Sequence, residues 1–328
     1  MTIRPAVLYL DLSGLDVQPG VELLQSAGIE VLHVADQPSA EQLARVVAVL
    51  AGYDPVTDEL LARLPALRLV ATHSAGYDMV DLAAARARGV LVTNVPASAV
   101  DEVAVHALAM ALSLLRGLSR LDRDVRAGRW DGGIVRPPRA PGDLTCGVVG
   151  LGRIGRRFAE LARPLFGRLV GHDPALESSQ WPEGVARLGW HELLEVADCI
   201  SLHLPLTEET RGLVDRAALA RLPRDAVLVN VSRGGLVDED ALLAALEAGH
   251  LGGAALDVRR IEPNGPDDVL AAHEGVISTP HVAYLSPAAL RRYAEIPARN
   301  VLALLETGRP LDPIDLADVT TSAARTTP

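Results

Sequence analysis

Three segments in the C-terminal half carry residue types suited to acid–base chemistry on a carboxylate. Asn230-Val231-Ser232-Arg233-Gly234-Gly235 closes the apolar run Ala226–Val231. An arginine at the carboxyl end of a parallel strand faces the crevice where open α/β sheets take ligands, and its planar fork suits a carboxylate bidentately. Asp257 closes the next run, with Glu262-Pro263 five residues beyond, and Thr279-Pro280-His281 closes the one after. Taken singly, an arginine in a turn or a lone histidine is more often structural. Three such residues past three successive strand ends form a constellation. Arg233 would orient a 2-oxo acid, His281 would supply a proton as a hydride arrives, and Glu262, hydrogen-bonded to His281, would favour the imidazolium and raise its pKa.

Hydride chemistry needs a carrier, and Gly147-Val148-Val149-Gly150-Leu151-Gly152-Arg153-Ile154-Gly155 offers a place for one. It contains G-x-G-x-x-G at Gly150, Gly152 and Gly155, after a strand-like pair and before a helix-like run, Arg156–Leu161. Gly150 allows the tight turn, Gly152 lets the backbone approach a pyrophosphate, and Gly155 lets helix and strand pack closely. The helix N-terminus then presents free N–H groups to phosphates. Asp173 lies 18 residues beyond Gly155 at the end of the next apolar run, the place of a carboxylate on the adenosine ribose. A carboxylate there repels a 2′-phosphate, which favours NAD over NADP. The bland alternative is a structural turn with a capping aspartate. A methyltransferase shares the glycine turn but not the trio.

These residues need strands and helices to position them. Ala6–Leu10, Ile29–Val34, Val47–Leu50, Leu67–Thr72 and Val90–Val95 read as strands, with helical stretches such as Asp58–Leu64 and Leu82–Arg88 between them. The pattern restarts after a long helix from Asp101 to about Leu118 and a Gly-, Pro- and Arg-rich loop, Gly128–Asp143. Strands then follow at Cys146–Gly150, Arg168–His172, Cys199–Leu204, Ala226–Val231, Ala254–Val258 and Gly275–Ser278. Such alternation predicts two α/β units with parallel sheets and helices on both faces, of five and six strands. Thr320–Pro328 reads as a loose polar tail.

Composition sets the limits. A chain of 328 residues predicts two domains at roughly 100–200 residues each. With 49% hydrophobic and 22% charged residues it is too apolar for disorder. A net charge of −11 argues against a nucleic-acid or acidic-membrane partner, which needs a basic field. Every basic side chain other than histidine is arginine. Two cysteines, Cys146 and Cys199, make neither a disulfide framework nor a Cys-rich zinc site, and no metal is expected. The longest apolar stretch, Val103–Leu115, is too short for a membrane span, and the N-terminus does not read as a signal peptide. A reducing, cytoplasmic setting is the expectation.

The segments together resemble the D-isomer-specific 2-hydroxyacid dehydrogenases. The marks are Ser74-Ala75-Gly76-Tyr77-Asp78, Thr93-Asn94-Val95-Pro96, the glycine turn, Leu202-His203-Leu204-Pro205-Leu206-Thr207, Val231–Gly235, Asp257-Val258, Glu262-Pro263 and Thr279-Pro280-His281. The likeness covers nearly the whole chain, most closely Leu67 to Pro310. It implies a Rossmann-type doubly wound cofactor domain, residues 99–285, inserted into a smaller flavodoxin-like α/β substrate domain, residues 1–98 with 286–311, and a tail at 312–328. It implies interconversion of a D-2-hydroxy acid and its 2-oxo acid, with Arg233, Glu262 and His281 catalytic. Cofactor contacts are implied at Gly150, Gly152, Arg153, Ile154, Gly155, Asp173, Leu204, Pro205, Thr207, Val231, Ser232, Arg233, Asp257 and His281. Substrate contacts are implied at Ser74, Ala75, Gly76, Arg233 and His281, the amides of Ala75 and Gly76 holding the carboxylate. A hinge between the domains and a homodimer through the helix from Asp101 are also implied; the plain alternative for that helix is domain core.

The chain departs from the family's pattern in three places. The lead Gly142–Cys146 is short. Arg259-Arg260 replaces an aromatic and acidic pair, and could bind a second substrate anion, compete for Glu262, or form a solvated turn. Tyr284 stands where subfamilies vary. An NAD(H)-sensing, corepressor-like protein and a phosphite dehydrogenase are the alternatives on the same fold. Formate oxidation fits less well, because the family's formate enzymes carry Gln where this chain has Glu262.

Overall fold

Runs of β-branched and small apolar residues, each ended by a glycine or a polar turn, form the strands of two all-parallel sheets. The computed structural model describes residues 4–10, 14–130 and 137–316. Its chain divides into two units, Met1–Ser98 with Ser286–Pro328, and Ala99–Leu285.

The first unit holds β1 (Ala6–Tyr9), β2 (Glu30–His33), β3 (Val46–Ala51), β4 (Leu69–Thr72) and β5 (Leu91–Thr93) in the order β2-β1-β3-β4-β5, the flavodoxin-like winding. Its helices are α1 (Gln18–Ser26), α2 (Ala40–Leu43), α3 (Asp58–Ala62), α4 (Leu82–Ala87) and, from the end of the chain, α12 (Pro287–Thr307). Alternate residues of each strand face opposite sides. Ala6, Leu8, Val49 and Val70 enter one core, while Val7, Tyr9, Leu50 and Leu69 enter the other with Ala298, Val301 and Leu304 of α12. Covering both faces is what makes these strands read as unbroken apolar runs. Within the expected tail at 312–328, Pro313 bridges Thr93, and the Ile314 N–H donates to the Val92 carbonyl at 2.8 Å. Ile314 and Leu316 supply the reason, since both pack on the core. The last stretch, 320–328, lies outside the described residues, as does the middle of the Gly128–Asp143 loop.

The second unit holds β6 (Thr145–Val149), β7 (Arg168–His172), β8 (Ala186–Arg187), β9 (Cys199–Leu202), β10 (Val227–Asn230), β11 (Gly253–Leu256) and β12 (Val276–Ser278), ordered β12-β11-β10-β9-β6-β7-β8. The winding reverses between β6 and β9, the switch point where doubly wound sheets open a crevice at their carboxyl ends. Six strands were expected here. The seventh, β8, has two exposed residues on the sheet edge, too few to show as an apolar run. The helices are α5 (Val100–Arg116), α6 (Leu118–Arg126), α7 (Arg153–Ala162), α8 (Trp190–Val196), α9 (Arg216–Arg221), α10 (Glu239–Glu247) and α11 (Val269–Ala272). The helix expected from Asp101 to about Leu118 ends at Arg116: Gly117 is left-handed, and α6 leaves at 63° to α5. No single helix among the described residues is long and apolar enough to cross a membrane. Cys146 and Cys199 are register partners on β6 and β9, both buried and free.

Candidate active site

The glycine turn follows β6 at the switch point. Gly150 has φ +86°, in the left-handed region that favours glycine, and a Cβ there would press on the His203 carbonyl. A Cβ on Gly155 would run into the Gly150 carbonyl oxygen, so the third glycine seats α7 on the turn itself as well as near the strand layer. Over Gly152 no atom lies within 4 Å of a Cβ position. No side chain caps α7, which begins at Arg153 and Ile154. Open space above an uncapped helix N-terminus fits the pyrophosphate of a dinucleotide. Asp173 follows β7 and clamps the turn: Oδ2 accepts the Leu151 N–H at 2.8 Å and Oδ1 the Ala175 N–H at 3.0 Å. His203, buried against Phe158, is pushed by that burial to about 3 and stays neutral.

The remaining cofactor candidates stand past the neighbouring strand ends. Leu204, Pro205 and Thr207 follow β9 in a loop tied by the Thr207 N–H to Thr210 Oγ1 at 2.7 Å and by the Thr210 hydroxyl to the Pro205 carbonyl at 2.8 Å. Val231, Ser232 and Arg233 follow β10. The Ser232 hydroxyl is engaged with the Leu202 carbonyl at 2.8 Å, which ties β10 to β9. Asn230, buried in the sheet, accepts the Ser232 N–H at 3.0 Å and donates to the Arg233 carbonyl at 2.9 Å. Sequence reasoning missed this positioning role. Its signal was a single amide ending an otherwise apolar strand.

Glu262 and His281, 19 residues apart, meet directly: His281 Nδ1 lies 2.7 Å from Glu262 Oε2. The Arg259 main-chain N–H donates to Glu262 Oε1, also at 2.7 Å. Half-burial pushes the Glu262 carboxyl up. The hydrogen bonds from His281 and from the Arg259 N–H, with the charges of His281 and Arg233, outweigh it and hold the group below its ordinary value. Glu262 is therefore a carboxylate across neutral pH, with Arg233 close enough to act on it. Tyr284 stands edge-on to His281, with ring centroids 6.4 Å apart. Burial, partly offset by a bond to the Tyr293 carbonyl, brings His73 to about 4. That residue is not a proton donor at neutral pH.

One expectation changes. Arg259 does not sit in a solvated turn: its side chain is 9% exposed and its guanidinium is committed to Glu239 and Asp268. Only its main-chain N–H meets Glu262. Asp257, 2% exposed, turns its carboxylate on Thr279, Val282 and Ala283 of the loop that carries His281.

In the first unit, Ser74, Ala75 and Gly76 follow β4. Their carbonyls accept, respectively, from the Thr72 hydroxyl at 3.1 Å, Asn94 Nδ2 at 2.6 Å and the Ser74 hydroxyl at 2.7 Å. Among the described residues there is no group of three or more His, Cys, Asp or Glu side chains arranged to hold a metal.

A doubly wound parallel sheet with this turn at its switch point defines a dinucleotide-binding α/β protein. The model of the D-isomer specific 2-hydroxyacid dehydrogenase NAD-binding domain matches residues 108–283. The chain is 39% identical over 254 residues to a glyoxylate reductase of Korarchaeum cryptofilum, covering 76% of each. Its fold matches a D-lactate dehydrogenase of Aquifex aeolicus complexed with NAD and lactic acid, at TM-score 0.81 and 30% identity, over 91% of this chain and 95% of that one. It also matches an NADPH-dependent glyoxylate/hydroxypyruvate reductase of Sinorhizobium meliloti, complexed with NADP and malonate, at TM-score 0.85 and 30% identity, over 96% and 98%. The chain belongs to the D-isomer-specific 2-hydroxyacid dehydrogenase family, and is an NAD(P)-dependent oxidoreductase.

Proposed function

We propose that the protein interconverts a small 2-oxo acid and its D-2-hydroxy acid with NAD(H) as the preferred coenzyme. The bound coenzyme supplies or takes the hydride at C2. Arg233 grips the substrate carboxylate and orients the carbonyl. His281 donates a proton from Nε2 to the C2 oxygen during reduction and takes it back during oxidation, because Nδ1 is held by Glu262. The Glu262 carboxylate fixes the ring's orientation and balances its positive charge.

The 2.7 Å contact between Glu262 and His281 carries this reading. Asp173 supports the coenzyme preference, since its negative charge opposes a 2′-phosphate. The Ser74–Gly76 segment supports carboxylate binding: with its carbonyls taken by side chains, its amides are the polar groups left for an anion. A homodimer through α5 and α6 is part of the proposal, supported by exposed Val105, Leu118 and Val125. A reducing, cytoplasmic setting is supported by the two free thiols.

The test is a panel of 2-oxo acids, including branched and phosphorylated members, assayed with NADH and NADPH in parallel. Turnover of at least one member with NADH, yielding the D product by chiral analysis, is the expected outcome. Tight NADH binding with no turnover of any member would overturn it.

A further inference from the structure

Arg259 sits at a junction that the proposed chemistry does not itself require. Its guanidinium Nε and Nη2 donate to Glu239 Oε1 and Oε2, each at 3.1 Å. Nη1 lies 2.6 Å from Asp268 Oδ2. The two carboxylates come from separate places: Glu239 opens α10, and Asp268 caps α11 through the N–H groups of Leu270 and Ala271, each at 3.0 Å. Glu239 Oε1 also accepts the Arg260 N–H at 2.7 Å. Side chain and main chain of this segment are therefore both pinned.

The pinned main chain touches both halves of the proposed site. The Arg259 N–H holds Glu262 Oε1 at 2.7 Å, and the other oxygen of that carboxylate holds His281. On the opposite side, a Cβ on Gly234 would run into the main-chain atoms of Arg259 and Arg260, so the turn that follows Arg233 rests on this segment backbone to backbone. A guanidinium suits the task because its rigid planar fork fixes the geometry of both carboxylates, whereas an ammonium group is a point charge on a flexible stem. Such a cluster is costly to break: removing one partner leaves a charge buried and uncompensated.

We propose that Arg259 is a positioning residue: the Glu239–Arg259–Asp268 ion triad holds its main chain so that Glu262 is fixed against His281 and the Arg233 turn is backed. This rests on the roles given above to Glu262 and His281. It accounts for an arginine at position 259, where the family's pattern has an aromatic residue.

The experiment uses the full chain with Arg259→Lys, Glu239→Gln, Glu262→Gln and the double variant Arg259→Lys/Glu262→Gln. Readouts are kcat, KM, the pH profile of reduction, NADH binding by fluorescence, and circular dichroism for folding. Arg259→Lys and Glu239→Gln are expected to lower kcat by about 10–100-fold, the scale of a displacement of about 1 Å at a reacting group. NADH affinity should stay near wild type, the oxo-acid KM should rise because the Arg233 turn loses its backing, and the alkaline fall in reduction should move to lower pH. The double variant should be little slower than Glu262→Gln alone, because Arg259 acts through Glu262. A folded Arg259→Lys with wild-type kcat and pH profile overturns the inference, and so does full additivity in the double variant. Wild-type turnover in Glu262→Gln would overturn the proposed function as well; impairment there with a normal Arg259→Lys would overturn this inference alone. Arg259→Lys keeps the charge, and so serves where a neutral replacement fails to fold.

Discussion

His281 hangs from Asp257. The main-chain N–H of His281 donates to the Asp257 carbonyl at 2.8 Å. The Asp257 carboxylate gathers the rest of the loop: Oδ1 accepts the Thr279 hydroxyl at 2.5 Å and the Val282 N–H at 2.9 Å, and Oδ2 accepts the Ala283 N–H at 2.9 Å. His106 Nε2 extends the chain, 3.1 Å from Thr279 Oγ1. This density of bonds has a purpose, because His281 has φ +54°, a left-handed backbone that is uncommon outside glycine. Conformations of that kind persist only where the surroundings over-determine them. Both lone-pair directions of Oδ1 are in use and one of Oδ2, which leaves a single acceptor direction for any further ligand.

Asp257→Ala removes the acceptor of three donors at once, the buried Ala283 N–H among them. Each buried donor left without an acceptor costs roughly 1–3 kcal/mol, so the folded state should lose at least about 2 kcal/mol, read as a lower urea midpoint. Turnover should fall as the loop relaxes. An unchanged midpoint would show that the loop does not depend on this carboxylate.

His281→Ala tests the proton donor separately from the loop. The imidazole is partly exposed, and the strained backbone stays bonded to Asp257. Turnover should therefore drop by about 10²–10⁴-fold, as for a lost general acid, while NADH binding and the urea midpoint change little. Near-normal turnover would assign the proton to another group.

Much of this architecture was legible because its signals are local. A glycine at 150, 152 and 155 after Val148–Val149 specifies turn and helix within ten residues, and fully covered strands such as β3 and β10 announce themselves as apolar runs. What stayed hidden depends on neighbours far away in sequence. The charge of Arg259 read as solvent- or substrate-facing because nothing near it revealed that Glu239, 20 positions earlier, would cover it. The second duty of Asp173 was likewise invisible, since its partner Leu151 lies 22 positions back. The pairing of Ile314 with β5 shows the same limit: an edge strand takes a partner by burial and open N–H and C=O groups, and neither has a sequence signature.

Asp173 gives a prediction that separates its two duties. If the carboxylate only repelled a 2′-phosphate, Asp173→Ser would improve NADPH binding and leave the turn intact. Because it also accepts the Leu151 and Ala175 N–H groups, its loss should loosen the turn for both coenzymes. NADH affinity should weaken by about 10-fold or more, from a lost charge-assisted bond of roughly 1.5–3 kcal/mol. NADPH should gain little in absolute terms, so the gap between them narrows from the NADH side. Fluorescence titration with both coenzymes decides it, and a large absolute gain for NADPH would show that the clamp is dispensable.

Acid stability should report on the Asp268 end of the ion triad. Burial alone would raise this carboxyl. The hydrogen bond from Arg259, the Ala271 N–H, the Asn264 side chain and the Arg259 charge outweigh it and hold the group at about 2, below its ordinary 3.8. A native carboxyl with a depressed pKa binds protons more weakly than the unfolded chain does. Its contribution is therefore complete above about pH 4 and disappears as the pH falls toward 2. Asp268→Asn removes that contribution at neutral pH, on the order of 1 kcal/mol once solvent screening is allowed for. The variant should then lose less additional stability than the wild type between pH 4 and pH 2. Urea midpoints across that range test the sign: parallel curves for the two proteins would mean that Asp268 is not held ionised by Arg259, whereas convergence toward acid pH is the expected result.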